Sequence, residues 1–175
     1  RVPRRTPERA CNDHRGMSFR PHFTRNESIK DPHMDVLYTA HATASGGGRE
    51  DGRATTDDGK IDVKLSTPTE MGGKGGDGTN PEQLFAAGYS ACFHSALRLV
   101  GKSAKANVDD SAVGAKVSIG PGETGGFQLA VVLEVSLPHL AREEAESLAA
   151  KAHEVCPYSN ATRGNIPVTL TVAED

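Results

Sequence analysis

The sequence predicts an α+β fold, and three observations lead there. Runs of alternating or β-branched residues occur in pairs separated by glycine-rich turns, and two stretches carry the marks of helices. Their order, ββαββαβ, has hairpins where a doubly wound protein would repeat βαβ units. A length of 175 residues suits one domain with a core large enough to fold unaided.

Residues 1–33 stand apart. Eight Lys/Arg against four Asp/Glu, with no hydrophobic period, leave too little apolar surface to offset the entropy of ordering. The expectation is a disordered leader or an added extension, with a native start at Met34 and the folded domain over 34–175. Taking the leader's surplus of four positive charges from the net −3 leaves −7 on that domain, which argues against nucleic acid as a partner. No stretch approaches the ~18 apolar residues that would span a bilayer. No basic segment precedes an apolar one in the manner of an export signal. A soluble, cytoplasmic protein without a membrane partner is expected.

The elements follow in order. "VLYTAHATA" (36–44) is β-rich by residue type, and "KIDVKLS" (60–66) alternates Ile61, Val63 and Leu65 with polar or charged neighbours after an Asp58-Gly59 turn signal. Between them "SGGGREDGRA" reads as a loop carrying Arg49 and Arg53. A second glycine-rich loop, "TPTEMGGKGGDGT", feeds a helix predicted from Pro81 to about Gly101, with Asn80 as its cap, Pro81 at the first helical position and Gln83 completing a box-like pattern. The small residues of "AAGYSACFHSA" suit a buried central helix that another backbone approaches closely, as at a subunit interface.

Val108–Ile119 and Phe127–Leu137 read as strands joined by "GPGETGG". Leu140, Ala141, Ala145, Leu148, Ala149, Ala152 and Val155 form the stripe of an amphipathic helix that Pro157 stops. "IPVTLTVA" forms the last strand.

Three cysteines are present, Cys11 in the leader and Cys92 and Cys156 in the domain. In a reducing compartment a cycling redox pair is a more usual reason for two such cysteines than a structural disulfide, and two unrelated buried thiols are the plain alternative. Cys156 falls at a helix C-terminus, where the dipole disfavours a thiolate and makes it a poor first nucleophile. Cys92, in a small-residue helix, needs a cation to be reactive. His94 is two residues away and so about 200° around the helix, on a diverging face. Arg49 is the better candidate, because a guanidinium stays charged when buried and offers a planar fork of donors.

Glu82, in the first helical turn, either compensates the dipole or holds an arginine. Ten residues of helix put it ~15 Å along the axis from Cys92. A kink near Gly88, a bridging arginine, or service to the site of a second subunit would resolve that distance. "GGKGGDGT" lacks the ending of a phosphate-binding loop. His153 and Cys156 have metal-compatible spacing but no second ligand pair, so no metal is expected.

Taken together, "LYTAHATASGGGREDG", "DVKLSTPTEMGG", "TNPEQLFAAGYSACF" and "VCPYSNATRGN" resemble the organic hydroperoxide resistance (Ohr) proteins of the OsmC superfamily over about Val36 to Val172. The resemblance implies an OsmC-like fold built as an intertwined homodimer with two sites at the interface. It implies a thiol peroxidase for organic, including lipid, hydroperoxides, reduced by lipoylated protein or another dithiol, with no cofactor. It implies Cys92 as the peroxidatic cysteine, Cys156 as the resolving one, and Glu82 as the residue that positions a catalytic arginine. The loop "GGGREDGR" has one residue more than the family pattern between arginine and glycine, leaving Arg49 and Arg53 as rivals; Arg49 is preferred because it directly follows the glycines. Within the superfamily the osmotically induced OsmC branch is the nearest rival reading. A non-catalytic carrier of hydrophobic ligands is the rival from another class.

Overall fold

The computed structural model describes residues 34–123 and 125–173. The leader expected over 1–33, and Cys11 with it, lie outside the described residues.

The described strands form two three-stranded sheets, one before and one after a long helix in the sequence. In the first, β1 (Ala42–Ser45) pairs antiparallel with β2 (Arg53–Thr56), which pairs antiparallel with β3 (Asp62–Lys64). β2 is a correction to the sequence reading, which assigned Arg53 and Ala54 to the loop. The loop is tighter than its composition suggests: it closes at Gly52, whose N–H donates to the Gly48 carbonyl at 3.1 Å. The chain therefore re-enters the sheet at once. Conversely, residues 36–41, expected as strand, have no regular structure, and Leu37 and Tyr38 are exposed. β-prone side chains make a strand only where another strand pairs with them.

From β3 the chain passes through a single 3₁₀ turn (Thr69–Met71) and returns to pair with its own start. Thr79 N–H donates to the Lys64 carbonyl at 2.9 Å, and Ser66 N–H to the Thr79 carbonyl at 2.8 Å. This closure delivers Asn80 to the head of α1 (Pro81–Ala104), where Asn80 Oδ1 accepts from the Gln83 N–H at 2.9 Å. The box is incomplete, because the Gln83 side chain accepts from the Thr79 hydroxyl at 2.7 Å. α1 runs one turn beyond the predicted end and stops at Lys105, in the left-handed region with φ 56°.

β4 (Ala112–Pro121) and β5 (Phe127–Ser136) form a long antiparallel hairpin. β6 (Val168–Val172) joins β5 in parallel, which a crossover through α2 (Arg142–Val155) and α3 (Pro157–Thr162) makes possible. Both helices α1 and α2 pack on this sheet's side of the molecule. Tyr89, Phe93, Ala96 and Leu97 of α1 meet Ala145, Leu148, Ala149 and Ala152 of α2 and Val131, Leu133 and Val135 of β5 in one buried cluster. The α+β class is as expected. α3 was not: Pro157 does end α2, and it also starts a new helix, since its fixed φ and missing N–H suit a first helical position.

Candidate active site

The middle of α1 and the α2–α3 junction bring Cys92 and Cys156 together. Their sulfurs are 3.6 Å apart and both are free thiols. Cys156 lies between two helices, extended at φ −68° and ψ 123°, so that it ends α2 and caps α3 at once. It is fully buried, whereas Cys92 is only half-buried. Of the two sulfurs, Cys92 is the one a solute can reach.

Burial pushes the Cys92 thiol pKa up, the Tyr158 backbone N–H turned toward the sulfur pulls it down, and Cys156 raises it again. Arg49 is not among the groups that act on it. That arginine instead makes a two-pronged pair with Glu82, Nη1 to Oε2 and Nη2 to Oε1, each 2.8 Å. The Glu82 side chain is only 12% exposed, so the pair is partly desolvated and stronger than a surface ion pair. The arginine's hydrogen bonds hold the Glu82 carboxyl below the usual carboxylate range, and the carboxylate in turn raises the arginine's pKa. Arg53, the rival, points elsewhere and pairs with Asp62 across the exposed β2–β3 ladder at 2.5 and 2.6 Å.

The site residues thus form two constellations on one helix. Arg49 and Glu82 sit at the N-terminal end of α1, and Cys92 and Cys156 about ten residues on, ~15 Å along the axis. Between them lies an aromatic wall. Phe85 stacks on Tyr158 with ring centroids 6.1 Å apart and meets Tyr89 edge-on at 5.8 Å. Gly88 makes room for it, since a Cβ there would lie 3.1 Å from the Tyr158 hydroxyl.

Sequence reasoning missed Tyr158 and the turned N–H it supplies. The available signal was the Cys-Pro step, which places a first-turn amide two residues after the cysteine. His94 diverges from Cys92 as its spacing implied, and its Nε2 lies 3.1 Å from Ser111 Oγ. Around His153, as elsewhere among the described residues, no three or more His, Cys, Asp or Glu are grouped so that they could hold a metal. The His153 Nδ1 is buried without a hydrogen-bond partner, and burial, aided by Arg163, lowers its pKa and keeps the ring neutral. No helix among the described residues is long and apolar enough to cross a membrane.

The chain is similar to known proteins in sequence and in fold. The profile of the OsmC-like protein family matches residues 73–171, which include α1, both cysteines and the aromatic wall. An organic hydroperoxide resistance protein from Xanthomonas axonopodis pv. citri is 55% identical over 139 residues, covering 79% of this chain and 96% of that one. OhrB of Bacillus subtilis is 47% identical over 136 residues, 77% of this chain and 97% of the relative. Among solved structures, an organic hydroperoxide resistance protein from Elizabethkingia anophelis superposes with a TM-score of 0.76 at 53% identity, over 81% of this chain and all of that one. One from Vibrio cholerae, with captopril bound in one of its active sites, gives 0.73 at 46% identity, over 80% of this chain and 94% of that one. With relatives this similar over nearly their whole length, and a family profile that spans more than half of the sequence, the chain belongs to the OsmC/Ohr family, among the organic hydroperoxide resistance proteins.

Proposed function

We propose that the protein is a thiol peroxidase that reduces organic hydroperoxides, including lipid-derived ones, to alcohols through Cys92 and Cys156. The observation that carries the reading is the 3.6 Å between an accessible and a buried sulfur. The Cys92 thiolate attacks one oxygen of the O–O bond, the alcohol leaves with a proton, and the sulfur becomes a sulfenic acid. Cys156 condenses with it, releasing water and forming a disulfide. A dithiol then reduces the disulfide by exchange. Lipoylated protein is the reductant the resemblance implies, since a dithiol that closes its own ring drives the exchange to completion. The aromatic wall beside Cys92 favours hydroperoxides with an apolar body over hydrogen peroxide.

A raised Cys92 pKa has to be reversed for this chemistry, and among the described residues of a single copy no cation acts on it. In the homodimer we infer, the partner subunit's Arg49, held by the partner subunit's Glu82, comes over Cys92, lowers its pKa and grips the peroxide. Large apolar side chains left exposed on one copy, including Leu37, Tyr38 and Leu99, support burial against a second.

The test is turnover of cumene hydroperoxide with a dihydrolipoyl reductant. Cys92→Ser abolishes it, while Cys156→Ser consumes about one equivalent and then over-oxidises at Cys92 instead of turning over. Retained steady-state turnover in Cys92→Ser would sink this reading, and thiols inert to the hydroperoxide in the parent would bring forward the ligand-carrier alternative.

A further inference from the structure

Three buried hydroxyl groups that the chemistry above leaves unused tie α3 to α1. The Tyr89 hydroxyl donates to Ser159 Oγ at 3.0 Å and lies 3.2 Å from Thr162 Oγ1. Thr162 in turn donates to the Tyr158 carbonyl at 3.0 Å. Tyr89 and Ser159 are fully buried and Thr162 is 6% exposed. Tyr89 is three residues before Cys92 on α1, close to one turn. Ser159 and Thr162 are three and six residues after Cys156, and the Cys156 carbonyl accepts the Asn160 N–H at 2.9 Å as part of the same short helix.

The seat of α3 on α1 therefore fixes the position of the Cys156 sulfur. The aromatic contacts of Tyr158 also hold α3 down, but ring contacts tolerate sliding. Hydrogen bonds between buried hydroxyls do not, because the only way to satisfy all three oxygens is to keep the register.

We propose that Tyr89, Ser159 and Thr162 form a positioning network that holds Cys156 within reach of oxidised Cys92 and so decides how often the protein is over-oxidised rather than resolved. The proposal rests on the thiol-peroxidase reading. Once Cys92 is a sulfenic acid, two reactions compete for it. In one, the Cys156 thiol attacks the Cys92 sulfur, the S–S bond forms and water leaves. In the other, the Cys92 sulfenate attacks a second organic hydroperoxide, takes an oxygen to become a sulfinic acid, and releases the alcohol. The first is intramolecular and scales with the time the sulfurs spend in register; a misplacement of ~1 Å can cost on the order of 10²-fold. The second does not involve Cys156 at all. The network then acts on the ratio of the two rates.

The experiment uses the full chain with Cys11→Ser, fully reduced and exposed to a graded excess of cumene hydroperoxide, read by intact mass and peptide mapping. Disulfide formation lowers the mass by about 2 Da and sulfinic acid raises it by about 32 Da. Tyr89→Phe keeps the ring and removes one oxygen; Ser159→Ala is the second, independent variant. Both are expected to raise the sulfinic share of Cys92 about tenfold or more at equal peroxide. In a Cys156→Ser background Ser159→Ala is expected to leave the rate of sulfinic acid formation within about twofold, which a general loosening of the site would not do. A parent-like sulfinic share in both variants would overturn the proposal. So would an increase of equal size with Cys156 absent, because the effect would then lie in the reactivity of Cys92 itself. If the parent forms no Cys92–Cys156 disulfide, the peroxidase reading fails first and the positioning role falls with it.

Discussion

At the scale of single residues, the deciding feature is which arginine is free to serve a thiol. Arg53 engages its guanidinium with Asp62 at the exposed sheet surface, a contact of small consequence. Arg49 is oriented by a shielded carboxylate with both prongs engaged, leaving its remaining donors fixed in direction. Arg49→Ala is therefore expected to lower kcat/KM for cumene hydroperoxide by on the order of 10²-fold or more, and Arg53→Ala to change it by less than about twofold. The pH profile of Cys92 alkylation carries the sign. Burial raises the thiol pKa and a cation lowers it, so losing the arginine proposed to serve Cys92 is expected to move the alkylation midpoint to higher pH. The Arg49–Glu82 pair itself persists at neutral pH, because a carboxyl whose pKa is depressed keeps its charge until the pH falls through that lowered value. A midpoint that moves with Arg53 and not with Arg49 would reverse the assignment.

At the scale of elements, what was legible in the sequence is what local chemistry dictates. Asn80-Pro81 announces the start of α1 because cap and first-turn preferences act within four residues. The stripe of α2 is legible for the same kind of reason, its buried face repeating every turn. The residues that could hold chemistry were legible by type and motif, Cys92, Cys156, Arg49 and Glu82 among them. β2 was not, since four residues after a glycine loop carry no period to read, and only pairing with β1 and β3 makes them a strand. α3 was hidden by the ambiguity of proline, which ends one helix as readily as it begins the next. Nothing in the sequence joins Tyr89 to Ser159 and Thr162, seventy or more residues apart.

The arginine loop shows how an element carries a site. A Cβ on Gly52 would lie 2.3 Å from the Gly48 carbonyl oxygen and 2.9 Å from that of Ser45. Both are backbone atoms that cannot turn away. Gly52→Ala must therefore reopen the loop and swing Arg49 off Glu82. The expected result is a loss of kcat/KM approaching that of Arg49→Ala, with the unfolding midpoint changed far less than the activity, measured by urea titration beside steady-state kinetics. Parent activity in the Gly52→Ala protein would mean that the loop's shape does not place the arginine.

At the scale of the whole molecule, the distance along α1 is the central fact. The Arg49–Glu82 pair and the Cys92–Cys156 pair are each well made and lie ~15 Å apart on a helix that contains no proline after its first residue. In the two-fold dimer we propose, each copy would complete the other's site. Mixing the Cys92→Ser and Arg49→Ala proteins under conditions of subunit exchange then restores activity. Half of the dimers become mixed and each holds one intact site of two, so about a quarter of the parent rate per chain is expected. Two inactive proteins that remain inactive after exchange would confine each site to one chain.

The most direct test of the central claim is the intact mass of the reduced full chain carrying Cys11→Ser after one equivalent of cumene hydroperoxide. A loss of about 2 Da, with peptide mapping that joins Cys92 to Cys156, is the result the thiol-peroxidase account predicts. An unchanged mass, or an oxygen retained on Cys92 with Cys156 still a free thiol, would contradict it.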